Sequence, residues 1–250
     1  MNHLFEFLLR QGDNALVLGH RTSEWCGHGP ALEEDIALAN TALDLIGQTK
    51  LWLSYAGEVE DERRDADALA YHRDTYDFRN LLMLELPNDD FGRTLIRQFL
   101  FDAFQVPWLT ALSDSSNERI GQIAAKSLKE ALYHLDRSSE TVIALGDGTD
   151  ESNQRMQTAL DYVWPYAGEV FVDDEIDEAM HAEGVAPLPS SLHKSWLNQV
   201  NAVLQAAQLQ QPESDFVHKG GRDGRQHTEH LGHMLSTMQI LQRSHPGADW

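Results

Sequence analysis

Cysteine is almost missing from this chain. Of 250 residues only Cys26 is one, so an internal disulfide framework is excluded and a reducing setting, the cytoplasm, is expected. Basic residues are scarce as well: 19 Lys and Arg face 40 Asp and Glu, a formal net charge of −21. Such a surface repels phosphate backbones and anionic lipid, which argues against nucleic-acid and membrane-surface roles. No stretch approaches the roughly eighteen apolar residues that a membrane span needs. The first twenty residues carry Glu6, Arg10 and Asp13, so they are read as neither a span nor a signal peptide. Runs of alternating apolar residues, low-complexity tracts and internal repeats are lacking too, which leaves no sign of sheet or solenoid.

What is present is helical periodicity broken by short turn signals. At 42% hydrophobic and 24% charged residues the composition is that of an ordinary globular protein, long enough for one substantial core. The pattern predicts helices over 3–20, 32–56, 66–86, 90–113, 118–145, 149–164, 173–183, 191–210 and 226–243. Loops are expected at 21–31, where Gly27, Gly29 and Pro30 cluster, and at 211–225. In the second helix Ile36, Leu43, Ile46 and Leu53 stand at bundle spacing. The expectation is all-α: a single domain over 1–250, with a four-helix bundle at about 32–145 and a helical extension at about 149–250.

The candidate site comes from counting along the bundle. Asp44 lies 12 residues before the turn near 56, and Asp74 about 9 after the next helix begins. Asp102 and Glu130 repeat that arrangement about the turn at 113–117. Antiparallel helices joined by short loops place each pair at one height. Each hairpin then offers one lone acid and one acid opening a three-residue step, Asp74-x-x-Asp77 and Glu130-x-x-Tyr133. A ferritin-like di-iron carboxylate bundle uses this layout, but with Glu-x-x-His. His134 falls one residue late, and a step of about 100° turns it away from that position. Iron oxygenase sites want imidazole beside carboxylate, so the cluster reads as degenerate, without a metal. Lys126, His134 and Arg137 stand one to two turns from Glu130 and are the charge partners expected to neutralise buried acids in its place.

Several segments together resemble a known family. They are Gly12-Asp-Asn-Ala-Leu-Val-Leu-Gly-His-Arg21, Glu24-Trp-Cys-Gly-His28, Asp35 to Asn40, Leu43-Asp-Leu-Ile-Gly-Gln48, Asn80-Leu-Leu, Lys129 to His134 and His227-Thr-Glu-His-Leu-Gly232. The combination is similar to the structural subunits of bacterial ring-1,2-phenylacetyl-CoA epoxidases, multicomponent monooxygenases of aerobic phenylacetate breakdown. The resemblance implies a ferritin-like fold and no catalytic or cofactor-binding residue in this chain. It implies that a related catalytic subunit holds the di-iron centre and the substrate. A reductase subunit using NADPH, FAD and iron–sulfur groups, and small accessory subunits, complete the complex. The strong negative charge itself works against unaided binding of an anionic thioester and favours a basic partner. The rival expectations are an oxygenase or an iron-binding protein with its own histidine-poor metal site.

Three further signals are weighed against chemistry. His227, His230 and His233 at steps of three fan out around a helix, which suits helix-start and interface roles better than one zinc ion. Trp25, Cys26 and His28 place a thiol near an imidazole on a loop with no ordered base, a structural pattern. Gly220, Gly221 and Gly224 follow no strand and are a poor phosphate cradle. The segment 190–250, outside the expected bundle core, is expected to form part of the partner surface.

Overall fold

The computed structural model describes residues 2–248, and they contain helices and connections with no strand among them. This all-α architecture is consistent with a ferritin-like bundle. The helices are α1 (His3–Ser23), α2 (Leu32–Val59), α3 (Ala66–Tyr71), α4 (Leu82–Glu85), α5 (Phe91–Leu112), α6 (Glu118–Gly146), α7 (Asp150–Ala167), α8 (Glu175–Ala182), α9 (His193–Ala206) and α10 (Glu229–Ser244). They group into two compact units. One holds the described residues up to Pro87 with those from Lys219 onward, and the other is Asn88–His218. The expected C-terminal extension is thus divided, with α10 joining the N-terminal helices.

In the first unit α1 and α2 pack as a pair. Asn2 caps α1 by accepting the Phe5 amide at 3.1 Å. Gly12 lets the helices approach, since a Cβ there would lie 2.4 Å from the Leu53 side chain. The inward face of α2 is Leu38, Ala42, Leu45, Trp52, Leu53 and Ala56. The expected seam is corrected: of its four residues only Leu53 is buried, while Ile36, Leu43 and Ile46 are exposed. The helix is apolar on two faces, and the pattern alone does not say which one turns inward.

The helix expected over 66–86 is also corrected. It breaks into α3, a 3₁₀ turn at Thr75–Asp77, an extended stretch and α4. Asp74 and Asp77 cap that turn reciprocally. The Arg79 amide then donates to Asp13 at 2.8 Å and the Leu81 amide to Asn14 at 2.8 Å. Backbone donors that a continuous helix would use internally go instead to side chains of α1.

In the second unit α5 and α6 form an antiparallel hairpin. Asp90 caps α5 at the Gly92 amide, 2.7 Å, and Asn117 caps α6 at the Arg119 and Ile120 amides. Thr149 and Ser152 form a capping box for α7. That helix runs through Pro165 to Ala167, beyond its expected end. Trp196 of α9 closes the unit, donating its indole N–H to the Leu100 carbonyl at 3.0 Å and packing on Trp164 and Phe171.

Candidate functional site

Of the two expected acids in the second unit, Asp102 is the fully buried one, on α5. Its carboxyl receives the Gln98 amide at 2.7 Å and meets the Ser138 hydroxyl at 2.9 Å. Burial pushes its pKa up to about 8, against the opposing pull of those two hydrogen bonds and the Arg137 charge. At neutral pH Asp102 is therefore mostly protonated. The Ser138 hydroxyl that donates to it also lies 3.3 Å from the Leu135 carbonyl.

Asp102 and Glu130 are not brought together. The partner of Asp102 is Ser138, two turns further along α6. Two features displace the expected rung. Side chains lean toward the N-terminus of their own helix, so in an antiparallel pair Asp102 reaches away from the turn. The start of α6 also folds back under the end of α5, where a Cβ on Gly121 would lie 3.2 Å from the Ser113 carbonyl. Glu130 is half-buried, Lys126 is exposed, and Tyr133, at the histidine position of the di-iron pattern, is 53% exposed. His134 is buried instead, its ring 6.2 Å from that of Tyr133. Of the three expected charge partners, Arg137 acts on Asp102 through its charge.

In the first unit Asp44 is half-buried on α2, while Asp74 and Asp77 are exposed on the 3₁₀ turn. Asp74 pairs with Arg243 at 2.9 Å. The buried acids here are different ones, Asp13, Glu60 and Glu85. Asp13 is gripped by both terminal nitrogens of Arg73, one at 3.0 Å, and the guanidinium lies 4.3 Å over the Phe78 ring. Glu85 receives three donors: His227 Nδ1 at 2.6 Å, the Thr228 amide at 2.6 Å and Asn80 Nδ2 at 2.9 Å. Arg21 donates to the Glu85 carbonyl at 2.8 Å and to the His230 carbonyl at 3.1 Å.

The remaining signals have structural roles. His227 precedes α10 and is bound to Glu85, and His233 is exposed, so the three histidines do not converge. His28 meets the Cys26 backbone carbonyl at 3.1 Å, and Cys26 is exposed. Gly221 and Gly224 bring the 219–225 loop against residues 76–82, where a Cβ would meet the Asn80 and Tyr76 carbonyls at 2.4 and 2.6 Å. A cleft of about 340 Å³ between α1 and α10 is lined by His20, Arg21, Glu24, His233, Met234 and Met238. Burial holds the His20 imidazole below its usual pKa, and Arg21 and Glu24 pair with each other at 2.8 Å. Among the described residues no group of three or more His, Cys, Asp or Glu side chains is arranged to hold a metal ion.

All but one of the segments that carried the resemblance lie in the first unit; Lys129 to His134 is in the second. Asp13, Asn14 and Arg21 of α1 join Asn80, Glu85, His227 and Thr228 in one buried polar network. A model of the Phenylacetic acid catabolic protein family matches residues 1–250. The chain belongs to that family. A relative within this phenylacetic acid catabolic family, from Escherichia coli strain K12, is 47% identical over 250 residues and spans all of both chains. Its name makes it one of the subunits of a 1,2-phenylacetyl-CoA epoxidase. In this chain Asp13, Asn14, Arg21 and their partners build a buried network of side-chain and backbone hydrogen bonds. Glu85 is bound by His227, a residue 142 positions later that no local sequence pattern connects to it.

Proposed function

We propose that this chain is the non-catalytic, structural subunit of a cytoplasmic phenylacetyl-CoA ring-1,2-epoxidase of phenylacetate breakdown. It holds in place a related catalytic subunit, in which the di-iron centre and the thioester substrate reside, with a reductase and small accessory subunits supplying the rest. The observation that carries this reading is the 47% identity to an epoxidase subunit over the full length of both chains. Its own donor set supports the silent role. Asp102 is buried and engaged by an amide and a hydroxyl, and Tyr133 takes the place where an imidazole would be needed. The net charge of −21 is likewise a poor match for a polyanionic thioester.

The test is reconstitution. Co-expression with the candidate oxygenase subunit should give a co-purifying pair whose NADPH-dependent turnover needs both chains, with iron tracking the partner in elemental analysis. Two irons per molecule in this chain purified alone, with an oxo-bridged charge-transfer band, would instead make it an oxygenase or iron-binding protein in its own right.

A further inference from the structure

From the second apolar face of α2 we infer a docking surface for a helix of a different, basic chain. This rests on the reading of the protein as a subunit and adds the place of contact. Leu32 is 71% exposed, Ile36 53% and Leu43 70%, with Ile46 beside them. At 100° per residue these side chains, with Ala39 between them and Gly47 just beyond Ile46, form one stripe about 23 Å long. Such a stripe, turned about 120° from the already buried face, is what a helix covered on two sides carries.

Gly47 points the same way. It lies in mid-helix, is exposed, and has nothing within 4 Å of where its Cβ would be. Glycine there weakens the helix and gains nothing within this chain. A small residue between large apolar ones allows another helix backbone to approach closely, which would give the glycine a purpose.

Charge selects the occupant. Between Leu32 and Ala56 the helix carries Glu33, Glu34, Asp35 and Asp44 against the single base Lys50. A second copy would set acid against acid, on chains of −21 each. The fitting partner is a helix with an apolar seam flanked by Lys or Arg, whose association weakens as salt rises.

The experiment measures binding of the purified full chain to the purified catalytic subunit. Variants Leu43→Lys and Gly47→Leu are compared with Val172→Lys, an exposed apolar position outside both α2 and the 190–250 segment. Leu43→Lys and Gly47→Leu are expected to weaken association at least about tenfold, Gly47→Leu without lowering the melting temperature, and Val172→Lys to leave association unchanged. Wild-type binding that both α2 variants retain overturns the surface while leaving the subunit reading intact. Loss caused equally by Val172→Lys does the same. A concentration-dependent homodimer abolished by Leu43→Lys replaces the basic partner with a second copy and overturns the inference. No association of the wild-type pair at any salt removes both readings together.

Discussion

The carboxylate of Glu85 is held at 2.6 Å by the ring of His227, 142 residues later in the chain. With the Thr228 amide and Asn80 on the same carboxylate, one side chain ties the end of the irregular 73–85 stretch to the segment that leads into α10. Every neighbour of that carboxylate is a donor, so nothing but an acceptor suits the position.

Glu85→Ala would leave three buried donors without a partner, and a loss of about 3 kcal/mol or more is expected. Glu85→Gln keeps the shape, but either orientation of its amide sets an NH₂ against the Asn80 or Thr228 donor. It should therefore cost about 1–3 kcal/mol. Urea denaturation with matched slopes checks both. A Glu85→Gln protein as stable as wild type would mean that the network repacks freely.

Asp13 and Arg73 form the other fixed point, an ion pair between side chains that are 0% and 2% exposed. Removing one partner strands a buried charge, so Asp13→Ala should cost about 3–5 kcal/mol. The Asp13→Ala/Arg73→Ala double variant should cost clearly less than the sum of the single changes. A double-mutant cycle measures this directly, and simple additivity would show the two groups to be energetically independent.

Gly224 sits at φ +70°, and a Cβ there would fall 2.3 Å from Arg79 Nη1 and 2.6 Å from the Tyr76 carbonyl. Arg79 is itself tied to Glu6 at 2.8 Å. Gly224→Ala should lower stability by about 1–3 kcal/mol, from backbone strain and the displaced guanidinium. The 219–225 loop should also become sensitive to limited proteolysis. An unchanged digestion pattern together with an unchanged melting temperature would contradict the close packing.

The starts of α6 and α7 were legible from sequence to within a residue, and the structure caps them with Asn117 and Thr149. The stretch 66–86 was misleading because its periodicity is helical while its backbone donors are claimed by Asp13 and Asn14 of α1. That competition is invisible to any local pattern. On α2 the apolar residues Ile36 and Leu43 were plain, but two apolar faces compete for one core and only packing ranks them. For the acids, counting put Asp102 opposite Glu130, whereas side-chain lean and the fold-back at Gly121 move its partner to Ser138. Helical position is readable to within a turn, and a metal site needs better than that.

Asp102 itself makes the last prediction. Its folded pKa is raised to about 8 from an ordinary 3.8, so between those values the folded state binds a proton that the unfolded chain has released. Stability from this group is fully present below about pH 4, declines as pH rises toward 8, and is lost above it. Asp102→Asn keeps the geometry of the neutral acid: its amide can donate to Ser138 Oγ while its carbonyl accepts from Gln98. The variant should match wild type near pH 4 and exceed it by about 2 kcal/mol or more at pH 8. Denaturation midpoints measured across pH 4–9 give the answer. Parallel curves for the two proteins would mean that Asp102 is ionised within the fold, which would reopen the case for a cation bound beside it.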